Sequence, residues 1–158
     1  MTTTISLSTT RIIDLIAALS AFRKLLDEKT NPEHQLSADN SRGLCPLISS
    51  AAATVAARLA PIVSVDSGLD SPPDSASDLI KLNIEMSSLL PAATATMVRK
   101  SVEEAIVYSV LSSIWVPIDV NVANCYNIRA DSAVENTHDL FAEANVKAAK
   151  LLRLTPGY

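Results

Sequence analysis

Glu135-Asn136-Thr137-His138 is the one stretch of this 158-residue sequence that sets a carboxylate and an imidazole at metal-ligand spacing. Residues three apart on a helix share a face, so an E-x-x-H pair could hold a cation together with ligands from neighbouring helices. A di-iron carboxylate centre needs a second E-x-x-H and two further Glu residues from facing helices. The sequence has only one other histidine, His34, in the polar stretch 31–37. A solvated helix face therefore accounts better for Glu135 and His138. Glu103 and Glu104 are adjacent, point in different directions on a helix and make a poor acid–base pair. Ser and Cys side chains lack an evident His partner, and no G-x-S-x-G, Walker A or G-x-G-x-x-G pattern occurs. Arg11, Arg23 and Lys24 form a small basic patch that reads as salt-bridged surface. Tyr108 and Trp115, about two helical turns apart, read as core packing rather than a ligand cage. No catalytic residue, cofactor-binding residue or metal ligand is assigned, and the chain is expected not to be an enzyme.

Composition narrows the function classes further. Apolar residues make up 48% of the chain and charged residues 19%, the balance of a globular protein. The length suits one domain, residues 1–158, with a substantial core. A net charge of −4 lacks the basic footprint of a nucleic-acid binder, so sequence-specific nucleic-acid binding is not expected. Aromatic residues, at 4%, offer few platforms for stacking bases or sugars. Cys45 and Cys125 are too few for a disulfide framework and read as reduced and buried. The N-terminal residues lack a basic signal-peptide region, and the apolar stretch 105–118 is too short and too Ser-rich for a membrane span.

The elements that must position these side chains are mostly helices. The organising stretch is residues 89–115, which holds the only Trp. Leu90, Thr94, Met97, Ser101, Ala105, Tyr108 and Trp115 fall near one face, widened by Val98, Val102 and Ile106. Arg99, Lys100, Glu103 and Glu104 mark a wet side, and charge is absent from 105 to 118, so the second half is expected to be buried nearly all round. An earlier helix spans 10–28, capped by Thr9 or Thr10, with apolar residues from Ile12 to Leu26. Another spans 38–60, capped by Ser37. There Pro46 predicts either a kink or a short first turn ending at Leu44. Asp119 opens a last helix, 120–152, which carries Val122, Tyr126, Val134 and Phe141 inward. The strict alternation of Ile80, Leu82, Ile84 and Met86 predicts a half-buried strand over 80–86. It needs a partner, and the short strand 4–8 is the candidate, within one subunit or between subunits. Residues 64–78 read as an exposed loop and 153–158 as a C-terminal tail. The fold class is mainly α: a helical bundle of about four helices with a short two-stranded β element. Ile16, Leu19, Val55, Leu59, Val102, Ile106, Trp115, Tyr126 and Phe141 are the expected core.

This order of elements resembles a known group. Strand and helix (ISLSTTRIIDLIAALSAF), an Ala-rich helix ending in Pro (LISSAAATVAARLAP), an alternating strand (IKLNIEM), a helix ending in Trp (SVEEAIVYSVLSSIW) and a final Ala-rich acidic helix follow one another. The pattern is similar to small virion proteins encoded among phage head and neck genes, and more broadly to head–tail connector (adaptor) proteins of tailed bacteriophages. Pro46 and the Pro72-Pro73 loop depart from that pattern. The resemblance implies a structural virion subunit made in the host cytoplasm. It further implies a homo-oligomeric ring at the neck, contacting portal and tail or neck proteins, with no cofactor. Independently, Leu69 in the loop and Leu152, Leu154 and Tyr158 at the C-terminus are the apolar residues expected to make intermolecular contacts. The competing expectation is a cellular helical-bundle adaptor or regulator that binds one protein partner.

Overall fold

Alternation and helical periodicity build different layers. A computed structural model describes residues 2–26, 41–60, 63–65, 79–85 and 92–154. In order these form β1 (Thr2–Ser8), α1 (Thr9–Leu26), α2 (Ser41–Arg58), β2 (Val63–Val65), β3 (Leu79–Glu85), α3 (Ala92–Trp115) and α4 (Val120–Leu154). The protein is mainly α with a short β element, as the periodicity predicts.

The expected strand pair is present within one subunit. β1 runs antiparallel to β3 with Ile5 opposite Leu82 and Leu7 opposite Ile80. Successive residues of a strand point to opposite faces, so Ile5, Leu7, Ile80, Leu82 and Ile84 make one buried layer while Ser6 and Lys81 face solvent. A third strand, β2, lies on the other side of β3, antiparallel to it, giving the order β1-β3-β2. It takes Ser64 and Val65 out of the stretch 64–78 expected to be loop. Three residues are too few for a period to show in the sequence.

One apolar core joins this layer to the helices. α2 contributes Ile48, Ala52, Val55 and Leu59, its small residues permitting close approach. α2 is continuous through Pro46, which is exposed, so water can satisfy the carbonyl at residue 42 that proline cannot reach. From residue 105 onward α3 is buried or half-buried at every position but Ser113, the environment its lack of charge predicts. Of the expected core residues only Leu19 is less than buried, packing at the edge.

α3 and α4 form an antiparallel hairpin. Ser112 Oγ donates to the Ala123 carbonyl at 3.0 Å and Ser101 Oγ to the Ala133 carbonyl at 2.8 Å. The two contacts set a single register in which Ala92 faces the neighbourhood of residue 143. α4 runs on to Leu154, about 16 Å beyond that point at 1.5 Å per residue. Leu152 and Leu154 therefore belong to the helix rather than to a tail. Asp119 caps α4, its Oδ1 accepting from the backbone N–H of Asn121 at 2.9 Å and of Val122 at 3.3 Å.

Several local expectations are corrected. Ser8, rather than Thr9 or Thr10, caps α1, its hydroxyl accepting from Arg11 N–H at 3.3 Å. Met97 is 55% exposed, because the buried stripe at the start of α3 is centred on Val98 and Val102. Cys125 is exposed, set off the inward stripe of Val122 and Tyr126. Glu103, expected on the wet side, is buried against Arg11. The expected cap Ser37 lies outside the described residues.

Candidate functional site

The groove between α1 and α3 gathers four charged side chains and a tyrosine. It encloses about 250 Å³ and is lined by Arg11, Leu15, Ala18, Leu19, Lys100, Glu103, Glu104, Val107 and Tyr108. Its charges neutralise one another. Arg11 Nε donates to Glu103 Oε1 at 2.6 Å, and Lys100 Nζ lies 4.0 Å from Glu104 Oε1 one turn along the helix. The adjacent glutamates thus serve different partners. Beside these paired charges the lining is apolar, from Leu15, Ala18, Leu19 and Val107.

A second groove, about 220 Å³, is lined by hydroxyls of Ser50, Thr54, Ser109, Ser112 and Ser113 with Asn127 and Arg58. Three of these hydroxyls are already engaged with the backbone. Thr54 donates to the Ser50 carbonyl, Ser113 to that of Ser109 and Ser112 to that of Ala123. Their donors are turned into the helices rather than toward a ligand.

The histidine of the E-x-x-H pair contacts the end of α2. His138 Nε2 sits 3.3 Å from the carbonyl of Arg58, the last residue of α2, and Arg58 Nη1 contacts Asp131 Oδ1 at 2.7 Å. α4 thereby fastens the C-terminal end of α2, where carbonyls lack intrahelical donors. Glu135 is exposed. Among the described residues no three His, Cys, Asp or Glu side chains converge on a point that could hold a metal ion. Arg11 of the expected basic patch is ion-paired, while the side chains of Arg23 and Lys24 lie outside the described residues. Tyr108 stacks on Tyr126 with ring centroids 6.3 Å apart, and Arg129 lies over Tyr108 at 5.8 Å. The pair belongs to the α3–α4 packing, with Arg129 closing its solvent side.

The feature the sequence reading missed is the end of the α3–α4 hairpin. Val116, Ile118, Val120 and Ile128 are exposed there, at 55%, 40%, 60% and 63%. Val120 and Ile128 lie two turns apart on one exposed stripe of α4, with the exposed Asn124 between them. The turn itself is held tightly, with Trp115 O accepting from both Ile118 N and Asp119 N. Its signal is in the residues Val116-Pro117-Ile118-Asp119-Val120, apolar where a solvent-facing turn is normally polar. Scattered exposed apolar residues are ordinary; these four lie together toward one end of the hairpin.

Of the four expected contact residues, Leu69 and Tyr158 lie outside the described residues. Leu152 and Leu154 lie in the last turn of α4, at the far end from this surface. No described helix is long and apolar enough to cross a membrane.

The architecture is that of a mainly α protein: a helical hairpin packed with two further helices and one face of a small antiparallel sheet. The chain matches no family model, no curated protein and no solved structure.

Proposed function

We propose that the protein is a structural subunit of a virion, a head–tail connector that forms a homo-oligomeric ring at the neck of a tailed phage. The observation that carries this reading is the exposed apolar end of the α3–α4 hairpin, Val116, Ile118, Val120 and Ile128. A rigid end of this kind gains free energy when neighbouring copies cover it, at about 25 cal/mol per Å² of apolar surface removed from water. The order of elements quoted above supports the same reading.

The same end suits one helix of a single cellular partner, the reading of the chain as an adaptor or regulator. Native mass spectrometry and electron microscopy of the purified chain separate the two. The ring reading expects closed rings of many copies, dispersed by Ile128→Glu into subunits that keep the native helical circular dichroism. A chain that forms no species larger than a dimer at any concentration rules out the ring and leaves the adaptor.

A further inference from the structure

The sheet has two edges of unequal length: β2 offers three residues, β1 offers seven. β1 pairs with β3 in unbroken register from Thr2↔Glu85 to Ser8↔Leu79. Among the described residues no backbone group pairs with its other side. The outward N–H and C=O groups of such a strand form a row of donors and acceptors with the spacing of another strand.

Edge strands are ordinarily guarded by a lysine, a proline, a bulge or brevity. β1 has none of these. Its sequence, TTTISLS, contains no charge, no Pro and no Gly, and its register with β3 carries no bulge. Ile5 and Leu7 are already buried by the subunit's own helices, so an incoming strand need supply no apolar groove. It must supply a matching row of backbone groups and bring no like charge.

A second copy of β1 meets both conditions. We propose that β1 pairs antiparallel with β1 of a second copy across a two-fold axis normal to the sheet. The product is a continuous six-stranded sheet, β2-β3-β1 followed by β1-β3-β2 of the partner. A two-fold in that direction keeps both buried faces on the same side, so the two helical layers lie beside each other. Because the strand is uncharged, self-pairing sets no like charges in opposition. The contact closes at two copies and is independent of the virion reading, which requires a further, head-to-tail contact to close a ring.

The test uses the full chain in analytical ultracentrifugation from low to high micromolar concentration. A reversible monomer–dimer equilibrium is expected as the smallest association step. Ser6 is exposed on the open face of the sheet, opposite Lys81 of β3, so Ser6→Lys, made together with Lys81→Ser to avoid a like-charge pair within one subunit, places two ammonium groups near the two-fold without entering the core. It should raise the dimer dissociation constant roughly tenfold or more while leaving the monomer melting temperature unchanged. Ser6→Cys combined with Cys125→Ser should be bridged between chains by a short bismaleimide, and this reading decides the matter if the lysine variant fails to fold. A chain that remains monomeric overturns the proposal, as it would if another segment or a different protein occupies the edge. So does a dimer that is indifferent to Ser6→Lys and gives no bridge through residue 6, which would put the contact elsewhere, as at the hairpin end.

Discussion

Arg11 and Glu103, 92 positions apart in the chain, meet at 2.6 Å in unequal surroundings: the guanidinium side chain is 62% exposed and the carboxylate side chain 5%. Arg11 lies in the first turn of α1, where no acidic residue of that helix is present to complement the helix dipole. Glu103 supplies that negative charge from α3. Removing the arginine alone strands a buried carboxylate. Because one partner is open to water, the cost falls below that of a fully enclosed pair, and Arg11→Ala should destabilise by about 2 kcal/mol. Arg11→Met with Glu103→Leu should recover most of the loss. Urea denaturation of the single and double variants checks this. Equal losses in both would mean that the carboxylate is not stranded and the pair contributes little.

Thr9 presents the opposite case. It is fully buried at the β1–α1 junction, and its hydroxyl has no hydrogen-bond partner among the described residues. The Ser8 hydroxyl occupies the cap, so Thr9 gains nothing from its own. Thr9→Val keeps the branched shape and removes the unsatisfied oxygen, and should raise stability by about 1 kcal/mol. A drop in the denaturation midpoint would mean that the hydroxyl is bonded after all.

The hairpin turn should tolerate change unequally along its length. Asp119 provides two cap bonds, so Asp119→Ala should cost about 1 kcal/mol. Trp115, buried under the same turn, should cost about 3–5 kcal/mol as Trp115→Ala. Thermal unfolding ranks the two variants. Intrinsic fluorescence of the native chain should show a blue-shifted band, and an emission spectrum typical of indole in water would contradict the burial.

Glu143 and Lys147, one turn apart on α4, give a pH-dependent contact. The Lys147 ammonium, through a hydrogen bond and its charge, holds the Glu143 carboxyl below its ordinary value. A lowered folded-state value means that the stabilisation is present above the unfolded-state pKa and is lost as pH falls through the folded one. NMR titration should place the Glu143 midpoint below that of an exposed Glu. High salt or Lys147→Gln should move it up, because the pair is exposed and screened. A midpoint insensitive to both would remove the pair.

The long-period features were legible in the sequence, and the three-dimensional coincidences were not. Strict alternation announces β3, and the uncharged run after residue 104 announces the buried half of α3, because burial acts on many residues in a row. The cap of α1 is ambiguous in a sequence that offers Ser8, Thr9 and Thr10 together; which hydroxyl reaches an N–H is settled by where β1 ends. Glu103 looks solvated in a helical projection, since its partner lies on another helix. The exposed hairpin end was hidden for a related reason. Val116, Ile118 and Val120 carry core-like side chains, and only the hairpin register shows that no described element covers them.

The register of that hairpin has a mechanical consequence. α4 holds 35 residues and extends about 52 Å, with Val120 and Ile128 exposed near one end and Val146 toward the other. Anchored at the hairpin end, it acts as a lever arm. A tilt of about 5° at the anchored end displaces the other by about 5 Å, comparable to one helical turn. Under the proposed assembly, small differences in the seating of the hairpin end become shifts of about one helical turn at the far end.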